Sequence, residues 1–275
     1  MKISAGIHPL RQAWAMPAVR ARLCRVFLDG IFRANRGLGR AFIETIDQLC
    51  ERGKNDDQIY PTLHRLLNQP AKDPFGHTFG ADEDARIRRR IEQLIAFLDP
   101  IQQPNCIVDV GCGDGRVTAG LARHWHLSPR QAIGVDVFNR VADVAAITYV
   151  PVIDGRFQLA DASADLAIML MVLHHETNPE LTLRETHRVL RAGACLMIRD
   201  TDADTAELKL FNHVMEDFYY QVFRDLPGVP NPACHESAAY WERMFQTTGF
   251  IIIKTERPEP GNPFTPVHWQ LLRPG

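Results

Sequence analysis

Ile107-Val108-Asp109-Val110-Gly111-Cys112-Gly113-Asp114-Gly115-Arg116 is the stretch that decides how this chain of 275 residues is read. The apolar run leading into it suits a strand buried on both faces. It passes through Gly111-x-Gly113-x-Gly115 straight into the helical pattern of Thr118–Trp125. Glycines let the backbone turn sharply and approach a ligand with no Cβ in the way. The helix N-terminus behind them favours anionic groups. A dinucleotide site wants Gly-x-Gly-x-x-Gly, but here the third glycine comes one residue early and bulky Arg116 fills the sixth position. Asp109, inside the strand end, is an acceptor suited to a cationic amine rather than to a phosphate.

Outward from this loop the chain alternates strands with helices. Cys106–Val110, Ala132–Val137, Thr148–Ile153, Leu166–Leu170 and Cys195–Arg199 are short apolar runs, with helical stretches such as Pro179–Leu190 between most of them. This βαβ rhythm predicts an α/β fold, a doubly wound, mostly parallel, seven-stranded sheet with a ligand crevice at the carboxyl ends of its strands. A helix over Ser237–Thr247, a strand over Phe250–Thr255, a Pro/Gly-rich turn and a strand over Val267–Leu272 read as a hairpin finishing the sheet. The second strand ends at Asp136, 21 residues after Gly115, the spacing of a carboxylate that accepts both ribose hydroxyls. Val137 and Phe138 can flank an adenine, and Asp154-Gly155 after the third strand offers an acceptor for its amino group. A lone acid of this kind usually caps a turn. Three at successive strand ends beside a glycine loop predict a nucleoside site.

The first 80 residues read differently. Val19, Leu23, Val26, Phe27 and Ile31 recur at helical spacing from Pro17, and Leu38, Phe42, Ile46 and Leu49 form a second stripe ended by Gly53. A short helix is expected over Leu63–Leu67, then a linker or lid over Asn68–Phe79, then a helix with Asp82 as its N-cap and Ile87, Ile91, Leu94, Ile95 and Leu98 on one face. The boundaries drawn are a helical extension over 1–80 and a sheet domain over 81–275. Composition is ordinary for a globular protein, with 45% hydrophobic and 23% charged residues. The net charge of −2 hides a split: eight basic residues and one acid give residues 1–40 a charge of +7, leaving −9 for the other 235. Such an arm reads as an amphipathic helix docked on the acidic body, as a lid or dimer element, or as a nucleic-acid contact. The six cysteines form no Cys-x-x-Cys pair and read as free thiols in a reducing compartment, the cytoplasm by default. No apolar run reaches membrane-spanning length. No metal-binding spacing such as His-Glu-x-x-His occurs among the 11 histidines, so no metal is expected.

On these motifs residues 105–200 resemble a class I S-adenosylmethionine (SAM)-dependent methyltransferase of the type 11-like group. The matching blocks are VDVGCGDG (108–115), GVDVF (134–138), DGRFQLADASADLAIML (154–170), MVLHH (171–175) and RVLRAGACLMIRD (188–200). The family's usual Arg-Val-Leu-x-Pro-Gly-Gly turn is altered here, with Ala192 and Ala194 in place of Pro and Gly. The resemblance implies SAM as cofactor, with Asp109, Gly111 and Gly113 at the methionine end and Asp136 at the ribose. It puts Val137, Phe138, Asp154 and Gly155 at the adenine, with Leu170 lining the site. It implies methyl transfer to the oxygen or nitrogen of a small molecule. An RNA or mRNA-cap acceptor using the basic arm is the alternative, and a non-catalytic SAM-binding regulatory or scaffold protein is a third reading. Two copies pairing through the N-terminal helices are also expected to be compatible with the pattern.

Methyl transfer needs alignment in a dry pocket and, where the nucleophile must lose a proton, a base near neutral pKa. His174 and His175 follow the fourth strand at its rim. His175 matches a histidine that is often structural in the family. Arg199 and Asp200 end the fifth strand. Phe211, Met215, Phe218 and Val222 form a core stripe, and His213, Glu216, Asp217 and Tyr220 share an adjoining face, either solvated or reading a substrate. His175, His174, Asp200 and His213 are therefore the candidate catalytic residues, and Tyr219, Trp241 and Trp269 are either packed or stack on a planar substrate.

Overall fold

The computed structural model describes residues 8–67, 78–99, 101–142, 145–224, 231–232, 234–257 and 267–275. Helices α1 (Pro9–Ala15), α2 (Pro17–Arg25), α3 (Arg36–Glu51), α4 (Asp56–Leu67) and α5 (Thr78–Leu98) come first. Then follow β1 (Ile107–Val110), α6 (Arg116–His124), β2 (Ala132–Asp136), β3 (Thr148–Ile153), β4 (Arg156–Phe157), β5 (Ala164–Leu170), α7 (Pro179–Val189) and β6 (Leu190–Thr201). The chain closes with α8 (Ala206–Asp217), α9 (Ala238–Thr247), β7 (Phe250–Glu256) and β8 (Val267–Pro274). Side chains start several of the helices. Asn35, Asn178, Thr205 and Ser237 each accept the N–H three residues ahead, at the heads of α3, α7, α8 and α9.

The chain divides into two compact units. The helical unit takes the described residues of Met1–Gly80 together with those of Ala203–His235. The stretch after β6 therefore leaves the continuous 81–275 domain drawn from the sequence and joins the N-terminal helices. Its core is aromatic: Phe27 meets Phe42 and Phe218 edge-on at 5.1 and 5.0 Å, and Tyr60 meets Phe218 at 5.3 Å. The stripe Phe211, Phe218 and Val222 is buried in this core, with Met215 packed against it, as its periodicity demands. Helix α1, lying between Pro9 and Pro17, was too short to show a period. Its first N–H groups are capped from a distance, Leu10 and Arg11 donating to the Asp56 carboxylate at 2.8 and 3.3 Å. Helix α4 runs a full two turns before the expected Leu63 start, and α5 begins at Thr78 rather than at an Asp82 cap. Most of the linker expected over Asn68–Phe79 lies outside the described residues.

The sheet unit holds the described residues of Ala81–Asp202, Glu236–Pro260 and Val267–Gly275. Its strand order is β4-β3-β2-β1-β5-β6-β8-β7. Strands β3, β2, β1, β5 and β6 run parallel, while β4, β8 and β7 are antiparallel to their neighbours. Seven strands were expected, and the eighth is the two-residue β4. From β1 the chain builds outward to β2 and β3 on one side and to β5 and β6 on the other. That reversal of order opens a crevice at the strands' carboxyl ends. Helices α5 and α6 approach closely because Gly120 has no side chain: a Cβ there would stand 2.1 Å from Ile91 Cδ1. Residues Arg191–Ala194, the altered family turn, are absorbed as an irregularity in β6, where pairing with β5 jumps from Leu190 to Cys195 and Gly193 takes φ 79°. Trp241 and Trp269 are fully buried core residues, which removes them as stacking platforms. All six cysteines are free, and no helix among the described residues is long and apolar enough to cross a membrane.

Candidate active site

The glycine loop has the backbone its sequence calls for. Gly111, Gly113 and Gly115 all take positive φ, at 72°, 57° and 73°. Each is glycine for its own reason. A Cβ at Gly111 would lie 2.5 Å from Val172 Cγ2, and one at Gly115 would lie 2.5 Å from Ile147 Cδ1. A Cβ at Gly113 would meet nothing within 4 Å, so that residue edges open space. Gly113 N–H donates to Asp136 Oδ2 at 2.9 Å, and Phe138 N–H donates to Oδ1 at 3.0 Å. Each Asp136 oxygen keeps a further lone pair. Tyr149, reaching across from β3, donates its hydroxyl to the Asp136 carbonyl at 3.0 Å and steadies the strand end. Val137 and Phe138 beyond it are exposed, at 63% and 50%.

Asp109 is buried at the end of β1. Burial pushes its carboxyl up to about 7, helped by the nearby charges of Asp136 and Asp114 and opposed by the hydrogen bond from the Thr118 hydroxyl. A carboxyl so placed is poised to ionise when a cation arrives. Burial and the charges of Asp109, Asp136 and Asp114 push the Cys112 thiol far up, which disfavours its thiolate. Asp154 and Gly155 form a turn after β3 with φ 51° and 73°. Gly155 is held there by Leu181, whose Cδ2 would stand 2.6 Å from any added Cβ. Leu170 ends β5, next to β1, and is partly buried. The cofactor candidates thus gather at the carboxyl edge of β1, β2, β3 and β5.

The catalytic candidates separate. His174 Nδ1 lies 2.6 Å from Asp200 Oδ1, and both side chains are fully buried. Burial would push the Asp200 carboxyl up, but the His174 ring and its hydrogen bond, His268 and the Thr201 N–H outweigh it and hold the group well below the usual carboxylate range. His175 stacks at a tilt against His174, ring centroids 4.2 Å apart, and is only partly buried. His213 belongs to the helical unit, where its Nε2 lies 3.3 Å from Asp217 Oδ2.

Some functional neighbours escaped the sequence reading. Thr118 and Leu181 shape the loop and turn yet belong to no motif, and Val172 lies in the MVLHH block but was given no role of its own. His268 faces Asp200 across the β6–β8 ladder, 68 positions away in the chain. Only the strand pairing brings them together.

A family described as a methyltransferase domain matches residues 83–255. Dimethylglycine N-methyltransferase of Parasynechococcus marenigrum (strain WH8102) is 29% identical over 159 residues, 54% of this chain and 54% of that protein. The O-methyltransferase cnsE of Penicillium expansum is 33% identical over 201 residues, 69% of this chain and 67% of that protein. Among solved structures, the CurJ carbon methyltransferase superposes with a TM-score of 0.54 at 14% identity, covering 93% of this chain and 71% of that one. A protein from Pyrococcus horikoshii OT3 gives 0.54 at 13% identity over 74% of this chain and 96% of that one. These two likenesses bear on the fold alone. The chain spans about half the length of several curated relatives that it matches.

Proposed function

This chain belongs to the methyltransferase-domain family of class I SAM-dependent enzymes, and from that premise we propose that it transfers a methyl group from SAM to an oxygen or nitrogen of a small molecule. The observation that carries the reading is the row of acids, Asp109, Asp136 and Asp154, at the carboxyl ends of the adjacent strands β1, β2 and β3, beside a glycine loop whose middle residue edges open space. The donor set fits SAM: a buried carboxyl near neutrality for its ammonium, a strand-end carboxylate for two ribose hydroxyls, and exposed Val137 and Phe138 for a flat purine. When bound, SAM supplies a methyl carbon on a positively charged sulfur. Asp109 with Gly111 and Gly113 would hold the methionine end, Asp136 the ribose, and Asp154 with Gly155 the adenine, with Leu170 lining the site.

What remains for the protein is to align the acceptor and take its proton. His175, partly exposed on the turn after β5, is the side chain we assign to that step. The acceptor's O–H or N–H proton would pass to its imidazole, freeing the electron pair for the methyl carbon that bound SAM would supply, with the electrons of the carbon–sulfur bond left on sulfur. Relatives named for N- and O-methyl transfer support a small acceptor. In the basic arm Arg20 pairs with Asp47, Arg36 with Asp29, Arg22 lies over the Phe211 ring and Arg11 reaches the Gly53 carbonyl, while Arg25, Arg33 and Arg40 are exposed, so an RNA acceptor stays the second reading. The free thiols suit the reducing cytoplasm.

Calorimetry with S-adenosylhomocysteine (SAH), the demethylated product, tests the reading. Wild-type chain is expected to bind it, and Asp136→Ala to weaken binding about 30-fold or more, the loss of two hydrogen bonds to a charged group. Undiminished binding by that variant would sink the assignment. Transfer of labelled methyl to dimethylglycine and to simple phenols then sorts nitrogen from oxygen acceptors.

A further inference from the structure

The stretch from Met171 to His175 is held far more tightly than a connection between a strand and a helix requires. Met171 takes φ 63°, a left-handed conformation that costs a side-chain-bearing residue about 1 kcal/mol, and its N–H donates to the Arg199 carbonyl at 2.7 Å. Asp200 then gathers the turn. Its Oδ2 accepts the Leu173 N–H at 2.8 Å, and its Oδ1 accepts the Thr201 N–H at 2.7 Å and lies 2.6 Å from His174 Nδ1. His268 stands opposite on β8, also fully buried. A carboxylate committed to two backbone donors and one imidazole, with no exposure to water, is a clamp. His174, sealed on that clamp, is committed with it. His175 rests its ring on that of His174 and, unlike it, is only partly buried.

We propose that Asp200, acting through His174, is a positioning residue: it fixes the ring of His175 at the carboxyl edge of β5 and takes no part in proton transfer itself. The functional meaning of this rests on the methyl-transfer reading above, but the positioning is testable without turnover. The chain is labelled with 15N, loaded with SAH, and the His175 ring signals are followed by NMR in wild type, Asp200→Asn, His174→Leu and His174→Asn. An asparagine at 174 can place its Nδ2–H where Nδ1–H stood, so that variant should keep the wild-type His175 signals. Asp200→Asn and His174→Leu should displace or average them while the SAH dissociation constant stays within about threefold, a change below 1 kcal/mol. His175 signals unmoved in both would overturn the proposal, as would His174→Asn failing to restore what His174→Leu loses. Should Asp200→Asn not fold, the two His174 variants decide alone. If wild-type chain binds no SAH, the methyl-transfer reading fails separately, and the same spectra without SAH still judge the clamp.

Discussion

The sheet unit and the helical unit each contain a histidine beside an aspartate, and the two pairs are built in opposite ways. His174–Asp200 joins a turn to a strand end 26 residues away, at 2.6 Å, with side-chain exposures of 0% and 1%. His213–Asp217 lies one turn apart on α8, at 3.3 Å, with exposures of 11% and 14%. Asp200 accepts two backbone N–H groups, whereas Asp217 accepts side chains among the described residues: Tyr60 at 3.5 Å, Gln221 at 3.3 Å and Asn231 at 3.1 Å. The same two residue types therefore serve as a sealed clamp on backbone in one unit and as the hub of a looser side-chain cluster in the other. Removing one member of a buried pair strands a charge; removing a member of a partly wet one does not.

The sharpest way to break this comparison is to delete each carboxylate. Asp200→Ala should destabilise the protein by about 3–5 kcal/mol, and Asp217→Ala by about 1–2 kcal/mol, both read from urea unfolding. Equal losses would erase the distinction. Next in size are the glycines of the loop. Gly115→Ala meets both an unfavourable φ and Ile147, and should cost about 2–4 kcal/mol, while Gly113→Ala, with the same backbone and open space, should cost about 1–2. The smaller Gly113 loss should be accompanied by weaker SAH binding, because the added methyl would enter the open space proposed for the cofactor.

The pH dependence carries opposite signs within the sheet unit. Asp200 is held below its unfolded value of about 4, so its contribution is present above that pH and is lost as pH falls. Asp109 is raised to about 7, so the folded chain keeps a proton that the unfolded chain has lost. Its effect is a loss of stability as pH rises from about 4 to about 7, with a slope of at most about 1.4 kcal/mol per unit. Asp109→Asn should flatten unfolding free energy across that window. Thr118→Val, which removes the hydrogen bond opposing the shift, should deepen the fall. SAH affinity should climb over the same range as the carboxyl ionises toward the ligand's ammonium.

Much of the sheet unit was legible because its signals are local. A buried parallel strand is a short apolar run, a nucleoside loop is a run of glycines, and the acids proposed for the cofactor stand at the ends of those same strands. The helical unit was legible only as stripes. Phe211, Phe218 and Val222 announced a core but not which core, since a periodic face does not say what covers it. Helix α1 has seven residues and a cap supplied by Asp56, 46 positions from Leu10, so nothing near it in the chain marks its start. The split between His174 and His175 was likewise invisible. Adjacent residues of one type look alike until Asp200 arrives beside one of them.

From sequence alone came the parallel doubly wound sheet, the family resemblance with its SAM cofactor, and the candidate residues that would hold it. All of these depend on hydrophobic period, on glycine's conformational freedom and on spacing along one strand–loop–helix unit, quantities fixed within about 30 residues. Only the tertiary structure decided that the described residues of 203–235 pack with the N-terminal helices, that Trp241 and Trp269 are core, and that His174 is sealed while His175 is only partly buried. Burial and ion pairing depend on which distant segment comes to lie alongside, and β6 brings Asp200 to the turn through its ladder with β5.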